Sequence, residues 1–132
     1  MNLRGKIPLS FETKRLLVRR YRVTDENTLY RSARASIDEV FEFLPWCHPE
    51  YSRGDAREWL TKIEPDWHEG SAYNFAIFNK SGSTFHGGCS ISRSDEHSTA
   101  NLGYWIKSSN SGRGIATEAS FGLARFGIEH LN

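Results

Sequence analysis

The residues best suited to chemistry are Ser111-Gly-Arg-Gly-Ile-Ala-Thr-Glu118. Two glycines around one arginine let the backbone turn tightly and approach a ligand closely. The stretch that follows reads as the start of a helix, and the first turn of a helix carries N–H groups with no internal partner. Those donors and the positive end of the helix dipole hold an anion. Arg113 adds a fixed positive charge suited to a phosphate. A strand, a glycine turn and a helix N-terminus in this order point to a bound diphosphate. Taken alone, the loop is also compatible with an ordinary strand-to-helix connection. It is not a Walker A loop, because no Gly-Lys-Ser/Thr follows. It also lacks the third glycine and the parallel βαβ setting of a dinucleotide fingerprint.

The elements that must position this loop follow from periodicity. Residues 15–21 alternate as a strand, with Leu16 and Val18 on one face. Thr24 offers a helix N-cap, with Asp25 and Glu26 in the first turn and Leu29, Ala33 and Ile37 at helical spacing. Ser36-Ile-Asp-Glu39 has the form of a capping box and predicts a restarted helix, ended by Pro45. The aromatic stretch 44–51 is expected to be a loop. Ser52 should cap a further helix with Ala56, Trp59, Leu60 and Ile63 inward, closed by Pro65. Tyr73, Phe75 and Ile77 alternate, and Asn79-Lys-Ser-Gly82 is turn chemistry, so a hairpin follows. Phe85, Gly87, Cys89 and Ile91 are expected on one face of the next strand. Residues 94–98 read as a second turn, and residues 100–107 as a third strand with Leu102, Tyr104 and Ile106 on one face. The last helix carries two apolar stripes, Ala116, Ala119, Leu123, Phe126 and Phe121, Ala124, Ile128, which predicts burial on two sides. The implied class is α/β (α+β), a mostly antiparallel central sheet flanked by helices.

Bulk properties narrow the field further. The 132 residues are expected to form one domain, with 38% hydrophobic and 25% charged residues. A net charge of +1 argues against a nucleic-acid partner. No apolar run reaches the roughly 20 residues of a membrane span. Two cysteines, Cys47 and Cys89, make no disulfide framework, and no signal peptide opens the chain. A cytoplasmic location is expected. The five histidines show no metal-ligand spacing, so no metal is expected.

Asn101-Leu-Gly-Tyr-Trp-Ile-Lys107 followed by Ser111-Gly-Arg-Gly-Ile-Ala-Thr-Glu-Ala119 resembles the acetyl-CoA motif of the GCN5-related N-acetyltransferases, the GNAT superfamily. Its Gln/Arg-x-x-Gly-x-Gly/Ala pattern falls on Ser111, Gly114 and Ala116, with Ser111 departing from the usual Gln or Arg. Gly-Tyr-Trp, Ala-Thr-Glu-Ala, Thr13-Lys-Arg-Leu-Leu-Val-Arg-Arg20 and Leu44-Pro-Trp46 are similar to the RimJ/RimL branch of protein N-acetyltransferases. The resemblance implies acetyl-CoA as co-substrate and an amine acceptor such as a protein N-terminus. It places the pantetheine arm along Ile106 and Lys107. It places the diphosphate on the loop Ser111, Gly112, Arg113, Gly114, Ile115, Ala116 and Thr117. The acceptor would lie near Trp46 and His48. A neutral amine would attack the thioester, with a backbone N–H stabilising the oxyanion. Glu42, His48 and Glu50 are candidates for a base, against the plainer reading of two solvated charges and a loop histidine. Cys89 reads as a small buried hydrophobe. Glu118 reads as a residue matched to the helix dipole.

Members of the resembled family continue past the last helix with further strands and a helix, so 1–132 is expected to be an incomplete N-acetyltransferase domain. Residues 100–107 would then form an open strand edge able to pair with another copy. Two alternatives stay open. One is a catalytically inactive acyl-CoA-binding or dimerisation remnant. The other is an acetyltransferase for a small amine such as a polyamine or aminoglycoside. For that second case Glu39, Glu42 and Glu50 are flanked by Arg31, Arg34 and Arg53, so charge does not decide.

Overall fold

The computed structural model describes residues 7–40, 48–94, 99–107 and 114–131. Five antiparallel strands lie side by side in chain order: β1 (Ser10–Glu12), β2 (Leu16–Arg20), β3 (Ala72–Asn79), β4 (Phe85–Ser94) and β5 (Thr99–Ile106). Helices α1 (Glu26–Val40) and α2 (Arg53–Glu69) come between β2 and β3. Helix α3 (Ile115–Phe126) follows β5 and passes into a π-helical turn, Gly127–Leu131.

The sheet separates two apolar clusters. One packs Leu16, Val18, Phe75, Ile77, Cys89 and Ile91 against Ile115, Ala119, Leu123 and Phe126 of α3. The other packs Ala76, Phe78 and Phe85 against Leu29, Ala33, Ala56 and Leu60 of α1 and α2. Residues of odd and even parity on β3 therefore enter opposite cores, which makes β3 buried on both faces.

Local chemistry explains most boundaries. The Ser52 hydroxyl accepts from Asp55 N at 3.2 Å while the Asp55 carboxylate accepts from Ser52 N at 2.9 Å, a capping box worth about 1 kcal/mol. At the β3–β4 turn the Asn79 side-chain oxygen accepts from Ser83 N and Thr84 N, and Asn79 O accepts from Gly82 N.

Five expectations need correction. Asp25, not Thr24, organises the entry to α1: a 3-10 turn at Val23–Asp25 precedes the helix, and the Asp25 carboxylate accepts from Arg22 N at 2.7 Å. Ser36 does not restart a helix, because α1 runs unbroken and buries Ser36 completely. Pro65 does not close α2. It lacks the N–H that would reach the Thr61 carbonyl, a cost of ~3 kcal/mol. Burial of Trp67 against Tyr73 and Phe75 at 4.9 and 5.1 Å holds the last turn in place. The helix ends instead at Gly70, with φ 77°, where Gly70 N donates to Trp67 O and Ser71 N to Asp66 O, the Schellman arrangement. Phe85 does not share a face with Cys89 and Ile91. Ile77 pairs with Gly87 but Phe78 with Phe85, so His86 is an extra residue and the alternation flips there. The second stripe of α3 is not buried: Phe121 is 74% and Ile128 80% exposed.

Candidate functional site

The loop expected to carry chemistry enters the described residues at Gly114. Gly114 is the N-cap of α3 with φ 73°, a left-handed geometry that a side chain would strain. The first bond of the helix runs from Glu118 N to Gly114 O at 3.0 Å. The N–H groups of Ile115, Ala116 and Thr117 lie ahead of it and have no acceptor within the helix. Ile115 is buried and anchors the turn, while Gly114 and Thr117 are exposed. Ser111, Gly112 and Arg113 lie outside the described residues.

The connection between β1 and β2 braces this turn. The Glu118 carboxylate accepts from Arg15 N at 2.8 Å, from Arg15 Nε at 2.6 Å and from the Thr13 hydroxyl. The Arg15 guanidinium is thereby held at the start of α3, its Nη2 3.6 Å from where a side chain on Gly114 would begin. Desolvation works against the Glu118 charge. The hydrogen bonds from Thr13 and Arg15 outweigh it and hold the carboxyl below the usual carboxylate range. Glu118 is therefore more than a match for the helix dipole. It ties the β1–β2 connection to the glycine turn.

On the outer strand, Lys107 N donates to His86 O at 2.7 Å, so that N–H is committed to β4. Alternation in an antiparallel ladder then turns the Ile106 and Tyr104 peptide groups away from β4. Of the two residues expected to meet a pantetheine arm, Ile106 offers its backbone and Lys107 does not offer its N–H. Among the described residues β5 forms one edge of the sheet. Its Leu102 and Tyr104 are 47% and 58% exposed.

Across the sheet from α3 lies a cavity of about 420 Å³. Its floor is cut from small residues, Gly88 and Ser90 on β4 and Gly103 on β5, which the register places side by side. Tyr21, Tyr51, Trp59 and Trp105 wall it, with Leu29 from α1 and Asp55 from α2. His48 lines the same cavity. Its Nδ1 stands 3.4 Å from Glu50 Oε2, without hydrogen-bond geometry. Glu50 itself is on the surface. Glu42 and Trp46 lie outside the described residues. Tyr21 is buried, edge-on to Trp59 at 5.0 Å, and its hydroxyl proton has no acceptor among the described residues, the Trp105 indole beside it being a donor. An unmatched buried donor of this kind costs roughly 1–3 kcal/mol. Burial first, then the neighbouring Cys89, Asp25 and Tyr51, push the phenol well above its ordinary pKa, so it keeps its proton. Burial likewise pushes the Cys89 thiol up to about 12, which leaves it unreactive at neutral pH.

The sequence reading did not find this cavity. Tyr21 follows β2, Trp59 sits on a helix face, and the floor glycines belong to two strands. A signal was present in the small residues at alternate positions, Gly88, Ser90 and Gly103, but register is needed to bring them together. Among the described residues no group of three or more His, Cys, Asp or Glu is placed to hold a metal. No described helix is long and apolar enough to cross a membrane.

The family model of the acetyltransferase (GNAT) domain matches residues 15–132. The chain belongs to the GNAT acetyltransferase family. No curated protein sequence matches it. Among solved structures it is similar to a protein assigned as a ribosomal-protein-serine acetyltransferase from Vibrio cholerae. The TM-score is 0.80 at 25% identity, over 95% of this chain and 70% of that one. It is also similar in fold to RimL, a ribosomal L7/L12 α-N-protein acetyltransferase in complex with coenzyme A. There the TM-score is 0.70 at 22% identity, over 85% of this chain and 61% of that one. A third likeness is to the microcin C7 self-immunity acetyltransferase MccE in complex with acetyl-CoA and AMP. Its TM-score is 0.75 at 17% identity, over 87% of this chain and 63% of that one. This GNAT chain thus spans roughly two thirds of the length of these relatives.

Proposed function

We propose that this GNAT chain binds acetyl-CoA at the start of α3 and directs its acetyl group to a protein N-terminal amine, in the manner of the RimJ/RimL branch. The observation that carries the donor half is the left-handed Gly114 at the head of α3, with three first-turn amides beyond it and Arg15 braced beside it by Glu118. A diphosphate fits such a turn because the donors are backbone groups fixed before the ligand arrives. Arg113 and Gly112 extend the cradle in this reading, and Ile106 pairs with the pantetheine arm along the β5 edge.

The acceptor half rests on the cavity on the other side of the sheet. A neutral α-amine entering it would attack the thioester carbonyl. The new C–N bond forms, the C–S bond breaks, and coenzyme A leaves as the thiolate while the amine sheds a proton. An N-terminal amine has a pKa of about 7.7–8.0, so a modest base or ordered water accepts that proton. His48 is the described candidate by position, since it lines the cavity. Aromatic walls and a floor with almost no side chains suit an acceptor that slides in along the sheet. The likeness to the Vibrio cholerae protein, assigned as a ribosomal-protein-serine acetyltransferase, at 25% identity supports a protein as acceptor.

The test is calorimetry with acetyl-CoA, followed by mass spectrometry of peptides copying ribosomal-protein N-termini after incubation with the donor. A dissociation constant in the micromolar range and a 42 Da gain confined to the α-amine are expected. No acetyl-CoA binding would overturn the donor assignment. Acetylation of spermidine or an aminoglycoside in preference to peptides would overturn the acceptor assignment.

A further inference from the structure

We propose that the Tyr21 hydroxyl is a specificity-determining donor, which takes the first carbonyl oxygen of the acceptor and so selects α-amino-acyl acceptors over amines that lack that carbonyl. The inference rests on the cavity being the acceptor site. It adds the chemical feature by which that site chooses.

Four observations lead to it. First, Tyr21 is buried and lines the cavity, and its hydroxyl proton has no acceptor among the described residues. Buried polar atoms are rarely left so, and each instance calls for a reason. Second, the Trp105 indole N–H donates to the phenol oxygen and, being a donor only, cannot receive the phenol proton. Third, the hydroxyl rests on bare backbone. A Cβ on Gly88 would sit 2.4 Å from the Tyr21 oxygen and 2.9 Å from Trp105 Nε1. Any other residue at 88 would drive the phenol out of place. Fourth, the ring is locked edge-on against Trp59, so the hydroxyl has little freedom to turn elsewhere.

The chemistry of the acceptor decides what meets this proton. An ammonium group carries donors and no acceptor. A neutral amine has one lone pair, and that pair must stay free to attack the thioester. The partner is therefore an oxygen elsewhere on the acceptor. The phenol proton favours a carbonyl oxygen, which brings no proton of its own. In a peptide N-terminus the first carbonyl is two carbons from the amine nitrogen, close enough for one cavity to hold both. A polyamine has no oxygen to offer.

The experiment compares an alanine tripeptide amide with its isostere in which a trans-alkene replaces the first peptide bond, titrated into the full chain saturated with coenzyme A. The wild-type protein is expected to bind the peptide about tenfold more tightly than the alkene. Tyr21→Phe should lose about that factor for the peptide and nothing for the alkene, bringing the ratio near one. Its thermal transition should stay or rise, because an unmatched buried hydroxyl has been removed. Gly88→Ala, which moves the hydroxyl without deleting it, should lower the ratio in the same direction. Equal losses for both ligands would mean a purely structural tyrosine and would overturn the proposal, as would a wild-type protein that binds neither ligand or binds both alike. Coenzyme A binding, read in the same cell, reports on the donor assignment separately.

Discussion

The two ends of the proposed reaction are built in opposite ways. The donor turn is made of backbone: Gly114 supplies a conformation, and α3 supplies amides. The acceptor cavity is made of side chains and of their absence, with aromatic walls from the residue after β2, from α2 and the loop before it, and from β5, over a floor of Gly88, Ser90 and Gly103. A backbone site depends on local geometry and tolerates changes in its neighbours' identity. A side-chain cavity depends on residues brought together from most of the chain. Each should therefore be separable from the other by mutation.

The sharpest break is at the donor turn. Gly114→Val places a β-branched residue at φ 73°, where the strain of a left-handed residue alone is about 1–2 kcal/mol. There is room for the side chain, with Arg15 Nη2 at 3.6 Å as the nearest atom. The backbone is therefore expected to shift rather than the core, displacing the first-turn amides. Acetyl-CoA affinity should fall roughly a hundredfold by calorimetry, while peptide binding to the cavity stays within twofold. An unchanged donor affinity would separate the diphosphate from this turn.

The reciprocal break is smaller. Gly103→Ala raises a methyl from the cavity floor to 3.3 Å from Ser90 Oγ. The acceptor KM is expected to rise about fivefold with acetyl-CoA affinity unaltered. If both fall together, the two regions are one mechanical unit and the contrast between them fails.

This difference in construction also sets what the sequence could reveal. The turn at Gly114 and the start of α3 were legible because their information is contiguous: a glycine, then a helix start. The three successive antiparallel strands after α2, the Asn79–Gly82 turn and the Ser52 cap were legible for the same reason, while the short edge strand Ser10–Glu12 was not. The cavity was not, because Tyr21, Trp59 and Trp105 acquire a common role only through strand register and the packing of α2. The bulge at His86 shows the limit clearly. One extra residue moves Phe85 from one core to the other, and nothing in the alternation of types announces it. Pro65 was misread for a related reason, since the burial of Trp67 is a tertiary gain that local propensity does not contain. Glu118 was placed correctly at the helix start, but its partners are more than a hundred positions away in the chain.

The smallest effect expected is at that brace, and it tests whether the donor turn stands on backbone alone. Glu118→Gln keeps the shape and removes the charge that holds Arg15. Because the Arg15 side chain is half exposed, the loss of stability should be modest, about 1 kcal/mol. The dependence on pH has a definite sign. The folded carboxyl is held below its ordinary value, so the contact contributes stability above that value and loses it as the pH falls through the depressed one. Thermal transitions of wild type and Glu118→Gln measured from neutral pH to acid should therefore converge at the acid end. A constant gap would mean that shape, not charge, braces the turn. If the variant also binds acetyl-CoA more weakly at neutral pH, Arg15 belongs to the donor site, and the backbone account of that site must admit one side chain.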